Sequence, residues 1–198
     1  MSQWGNSCPR ESFSTSLADR SKDLLDKLRK CGIGQRPVIF VGHSMGGLVA
    51  KKMLLQAQAE QDHEFVRNTK GMMFYSTPHL GSGVAKLNSP TKFLFFPSTE
   101  VCDLEEDSPQ LTDLNQNFIQ LAKDKKDLKV VSFGESLPTP MFGIDMNFVS
   151  RKSADLGIGE YYQIKTNHIN ICKPESKDSI IYRKFLDMVM DVVDDNII

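Results

Sequence analysis

Cysteine, histidine, basic charge and long apolar runs are all in short supply here, and each shortage removes a class of protein. The four cysteines (Cys8, Cys31, Cys102 and Cys172) are scattered and form no C-x-x-C pair. That distribution predicts reduced thiols in a reducing compartment, with neither a disulfide framework nor a zinc site. Only four histidines occur, no metal-ligand cluster stands out, and no cofactor is expected. Twenty-four Lys and Arg against 25 Asp and Glu leave a net charge of −1, so no basic field exists to recruit nucleic acid or anionic lipid. The opening residues, MSQWGNSCPRESF, contain no apolar h-region of a signal peptide. No apolar run approaches the roughly 18–20 residues of a membrane span. Glycine-rich phosphate loops, internal repeats and low-complexity tracts are absent as well.

What is present alternates strands with helices. At 198 residues and 40% hydrophobic, the chain is expected to form one domain over 1–198, with an irregular stretch over 1–14. Ser16 to Lys30 reads as an amphipathic helix with Leu17, Leu24, Leu25 and Leu28 on one face and Gly32 as its stop. VIFV (38–41) reads as a short buried strand and 45–60 as a helix. GMMFYS (71–76) is a second apolar strand. Ser108-Pro109 opens a helix over 109–124, with Leu111, Leu114, Phe118 and Leu121 at helical spacing. LKVVSF (128–133), MNFVS (146–150) and YYQI (161–164) read as further strands. Ile181, Phe185, Met188, Val189 and Val192 mark a C-terminal helix. Such alternation predicts an α/β fold with a mostly parallel sheet covered on both faces. Ligands of such sheets sit at the carboxyl ends of the strands.

Gly42-His43-Ser44-Met45-Gly46 fits G-x-S-x-G between a strand and a helix, the context of a nucleophile elbow. Gly42 and Gly46 would leave room for close backbone approach, lifting the Ser44 hydroxyl above the sheet. The Met45 N–H, at the start of the next helix, is placed to donate to an oxyanion. A serine needs a base, and the order Ser, acid, His selects His168, which follows the last strand. His43 reads as a packing residue whose side chain diverges from Ser44, and His63 as solvated. His79, in STPHLGS, is expected near the pocket but too early in the chain for the base. For the acid, Glu135 follows KVVSFG at a strand end; Asp155 is the main rival and Asp145 a weaker one. Phe93, Phe95 and Phe96 fall together in an insertion between strands, suited either to lining an acyl-chain pocket or to core packing.

GHSMGGLVAKKML, GMMFYSTPHLGS, SFGESLPTP, SADLGIGEYYQI and NHINICKP together resemble, in order, the serine-active-site-containing branch of the lipase-like serine esterases. This is an α/β-hydrolase family associated with phosphatidylglycerol remodelling and cholesterol trafficking. The resemblance covers the chain from about Cys8 to its C-terminal helix. It implies that Ser44, Glu135 and His168 occupy the triad positions and that the substrate is a phospholipid acyl ester. It also implies peripheral membrane association and a location where mitochondria meet the endoplasmic reticulum. Members begin with a strand ending in a His-Gly turn that supplies a second oxyanion N–H. No such motif precedes Ser44, so the chain is expected to lack the first strands of the sheet and half of the oxyanion hole. The non-catalytic alternative is a hydrolase-like module that binds lipid or a partner.

Overall fold

A computed structural model describes residues 16–82, 108–141 and 143–195. In chain order the elements are α1 (Leu17–Lys30), β1 (Val38–His43), α2 (Met45–Ala59), α3 (His63–Asn68), β2 (Thr69–Tyr75) and α4 (Pro109–Asp124). They continue with β3 (Lys129–Glu135), β4 (Thr139–Met141), β5 (Ile144–Met146), α5 (Arg151–Ala154), β6 (Glu160–Ile164) and α6 (Ile180–Asp194).

Helix boundaries follow local chemistry. The Ser16 hydroxyl accepts from the Asp19 N–H to open α1. Gly32, at φ +77°, closes it, with the Gly32 N–H on the Arg29 carbonyl and the Ile33 N–H on that of Leu28. That pairing is the Schellman arrangement, which only a left-handed residue completes readily. Ser108 caps α4 with Pro109 in its first turn, and Ser179 caps α6.

Four strands form one parallel sheet in the order β1-β2-β3-β6. Side chains alternate across it. Met72, Phe74 and Val130 pack towards α1, α2 and α4, in a cluster with Leu25, Met53, Leu54, Phe118 and Leu121. Met73, Tyr75, Val131 and Phe133 face the other way, against Ile171, Ile181 and Met188. The apolar runs of β2 and β3 thus serve two cores at once. The observed architecture is the α/β one expected, with helices on both faces.

Two strand expectations need correction. β1 is not a buried strand: Val41 is 51% exposed, and among the described residues β1 pairs on one side only, with β2. MNFVS is not a strand over 146–150. Its first residue ends β5, which pairs antiparallel with β4 in a separate two-stranded sheet. Phe148 and Val149 then leave the ladder and are each 5% exposed. Ser150 terminates the extended run because its hydroxyl caps α5 through the Ser153 N–H. The helix α3 and the β4–β5 hairpin have no counterpart in the periodicity, being three to six residues long.

Candidate active site

Parallel register brings the carboxyl ends of all four strands to one side. His43 pairs with Tyr75, Tyr75 with Phe133, and Glu135 with Ile164. The next residues along the chain therefore share one rim. Ser44 turns there with φ 53° and ψ −130°, a backbone conformation that a non-glycine residue holds only under constraint. The constraint is visible: its N–H donates to the Tyr75 carbonyl at 2.9 Å, and its carbonyl accepts from the Gly47 N–H at 3.1 Å. The first helical residue is Met45, whose N–H belongs to the opening turn of α2, where amides lack intrahelical acceptors.

The close approach at this turn falls on Gly42 and Gly47. A Cβ on Gly42 would lie 2.5 Å from the Gly47 Cα, and one on Gly47 would run into Thr77 and Phe74. Gly46 is exposed, and a Cβ there meets nothing within 4 Å. The expectation that Gly46 is pressed against backbone is therefore corrected: the second tight glycine is its neighbour, on the face of α2 turned to the sheet.

His168 lies in the turn after β6 and is 7% exposed. Its Nε2 is 3.0 Å from the Ser44 Oγ, and its Nδ1 is 3.3 Å from both carboxylate oxygens of Glu135. This geometry suits the tautomer with a proton on Nδ1, donating to the carboxylate and leaving Nε2 to accept from the serine. Burial pushes the Glu135 carboxyl up, but the hydrogen bond and charge of His168 and the Val149 N–H (3.0 Å) pull it below its ordinary range. Phe148 stacks on the His168 ring at 4.6 Å between centroids and 11°. The His168 N–H donates to the Thr139 Oγ1 at 3.0 Å.

The other expected site residues lie elsewhere or act differently. The Asp155 carboxylate accepts from the Gly157 N–H at 2.9 Å, ordering its own turn after α5, and Asp145 is exposed in β5; the His168 Nδ1 faces Glu135. His79 is 0% exposed, with its Nδ1 3.1 Å from the Lys51 Nζ and its ring edge-on to Phe74. A side chain without exposed surface lines no open pocket, so that expectation is corrected: the Pro78-His79 turn folds inward, against α2. His43 is more than a packing residue. Its Nε2 is 2.8 Å from the His168 carbonyl, and its ring is 4.9 Å from the imidazole. Phe93, Phe95 and Phe96 lie outside the described residues.

The family described as "Putative serine esterase (DUF676)" matches residues 16–100, which include Ser44. Protein SERAC1 of Danio rerio is 48% identical over 197 residues, covering 98% of this chain and 30% of that protein. The chain is a serine-esterase-like protein. Protein SERAC1 of Homo sapiens is 44% identical over 195 residues, covering 98% of this chain and 29% of its own length. The serine-esterase-like chain thus spans about 30% of the length of the curated relatives it matches. The mature lipase BlEst2 of Bacillus licheniformis superposes with a TM-score of 0.58 at 18% identity, over 91% of this chain and 75% of that one. That likeness identifies the fold as the α/β-hydrolase type.

Three residues of this serine-esterase-like site escaped the sequence. Phe148 and Val149 lie in an apolar run that reads as a strand, and Thr139 lies between two prolines at the start of β4. Residues that hold a base in place carry no motif, because ring stacking and single backbone bonds can be supplied by many residue types. Among the described residues no helix is long and apolar enough to cross a membrane.

Proposed function

We propose that Ser44, His168 and Glu135 form a catalytic triad that transfers an acyl group from a phospholipid ester. The observation that carries this reading is the continuous chain of contacts from the Ser44 Oγ to His168 Nε2, and from His168 Nδ1 to both Glu135 oxygens. In the first half-reaction the Ser44 hydroxyl proton passes to His168 Nε2 as Oγ bonds to the ester carbonyl carbon. The Met45 N–H donates to the oxyanion, and ionised Glu135 stabilises the imidazolium. Collapse breaks the ester bond, and His168 returns the proton to the departing alcohol oxygen. The acyl-enzyme then passes its acyl group to water, or to the hydroxyl of a second lipid; His168 accepts that group's proton and returns it to the Ser44 Oγ as the acyl–Oγ bond breaks.

Phosphatidylglycerol remodelling and a role in cholesterol trafficking are the proposed context. They rest on the five sequence blocks shared with the serine-active-site-containing branch and on the identity with Protein SERAC1 along nearly the whole chain. The test is labelling of the folded chain with a fluorophosphonate probe. We expect covalent labelling that is lost in Ser44→Ala while the circular dichroism spectrum and melting temperature stay near the wild type. A folded full-length protein that does not react would refute the catalytic reading and favour a lipid- or partner-binding module.

A further inference from the structure

We infer that His43, the residue immediately before the proposed nucleophile, is a positioning residue that clamps the backbone of His168 and so sets the distance between nucleophile and base. For its effect on rate the inference rests on the acyl-transfer reading above; for its effect on the His168 ring it does not.

The His168 turn is tied at Thr166, whose carbonyl accepts from the Ser136 and Leu137 N–H groups, and at Ile171, which is buried in the core. It follows the last strand of the sheet, and its internal hydrogen bonds link Asn167 to Asn170 and Ile171. His168 itself is held from three other elements. The His168 N–H donates to Thr139 in β4, the ring Nδ1 faces Glu135 at the end of β3, and the His168 carbonyl meets His43 at the end of β1. A carbonyl oxygen only accepts, so the His43 Nε2 carries the proton and donates across 2.8 Å. Burial pushes the His43 imidazole below its usual range even though the carbonyl favours its charged form. The ring is therefore neutral near pH 7, and it sits against the His168 imidazole without adding a like charge. Its centroid lies 4.9 Å from that of His168 at a 43° tilt, while Phe148 stacks at 11°.

His43 and Ser44 are neighbours on one constrained turn. Any shift of the elbow therefore moves the donor that holds the base together with the hydroxyl the base must reach. A contact of 3.0 Å between Ser44 and His168 depends on such coupling, since a displacement of about 1 Å at a reacting group can cost on the order of 10²-fold in rate.

The test compares His43→Phe, which keeps a ring and removes the donor, with His43→Gln, whose amide nitrogen reaches nearly the place of Nε2. Two readouts are taken on the full chain: the saturating rate of fluorophosphonate labelling, and the low-field proton resonance of the His168 Nδ1–H held by Glu135. We expect H43F to lower the saturating rate by about 10- to 100-fold, with the half-saturating probe concentration unchanged, and to lose the resonance. H43Q should restore both. If H43F fails to fold, His43→Asn, polar but too short to reach the carbonyl, takes its place with the same expected losses. A wild-type rate and resonance in H43F, or equal losses in H43F and H43Q, would overturn the assignment. If no form of the protein labels but the resonance still follows the donor, the acyl-transfer reading falls and the positioning role stands.

Discussion

Among the described residues, two pairs of buried ionisable side chains resolve the cost of burial in opposite ways. At the rim of the sheet, Glu135 and His168 are each 7% exposed and face one another. Beneath α2, Lys51 and His79 are both 0% exposed. There, among the described residues, the ammonium meets only neutral acceptors, the Asn115 Oδ1 at 2.7 Å and the His79 Nδ1 at 3.1 Å, with the Phe118 ring at 5.2 Å. A carboxylate opposite a potential cation keeps its charge in spite of burial; a lysine without a carboxylate partner loses its hold on the proton. Desolvation accordingly lowers Lys51 to about 7, while Glu135 lies below the ordinary carboxylate range. In the proposed mechanism the first pair stabilises charge that appears during the reaction. The second ties α2 to the loop after β2 and to α4, and its ionisation bears on stability.

The largest effect should come from breaking the first pair. Glu135→Gln keeps the shape of the side chain but removes the charge that faces the imidazolium and allows the wrong tautomer. We expect the labelling or turnover rate to fall on the order of 10³- to 10⁴-fold, with the fold intact by circular dichroism. Asp155→Asn, by contrast, disturbs only a local turn and should stay within about twofold of wild type. If Asp155→Asn abolishes labelling and Glu135→Gln does not, the acid is misassigned.

The second pair should announce itself as a pH dependence of stability. In the unfolded chain Lys51 keeps its proton until about 10.5, whereas in the folded protein it gives it up near 7. Between those values the unfolded state binds more protons, so stability rises with pH across the window. The slope from this one group grows as its folded form loses the proton, and amounts to about 2 kcal/mol between pH 7 and 9. Lys51→Met should flatten that part of the curve. Urea midpoints of both proteins at pH 7, 8 and 9 measure it; an equal rise in the variant would show that Lys51 is not its source.

Much of this arrangement was legible in the residues, and the gaps have physical reasons. Helix α4 is legible to the residue and α1 to within one, because Ser16 and Ser108 cap them, Pro109 opens one and Gly32 stops the other. Ser44, Glu135 and His168 were found by order along the chain and by placement at strand ends. Proximity to the nucleophile strand places His79 near the pocket in sequence but says nothing about which way its turn folds, and the turn buries the ring. In the Phe148–Val149 segment, apolar residues that shield a buried ring look the same in sequence as apolar residues in a sheet. The bond from His43 to the His168 carbonyl spans 125 positions, and no local pattern encodes a contact with backbone that distant.

The smallest effect tests whether the two buried groups are mechanically joined. Helix α2 begins at the Ser44 elbow and carries Lys51 two turns further on, and between them Gly47 presses on the loop that holds His79. A methyl on Gly47 would approach the Thr77 Cγ2 to 2.7 Å and the Phe74 ring to 2.9 Å, so Gly47→Ala must push the helix away from that loop. We expect a loss of about 1–3 kcal/mol together with slower labelling, because the same shift moves the elbow away from His168. Gly46→Ala enters open space one residue earlier in the same helix, where alanine is preferred to glycine by about 0.8–1.0 kcal/mol. It should raise the melting temperature slightly and leave labelling unchanged. If G47A lost stability but labelled at the wild-type rate, the elbow would be held by its own hydrogen bonds to Tyr75 and Gly47, independently of the packing beneath it.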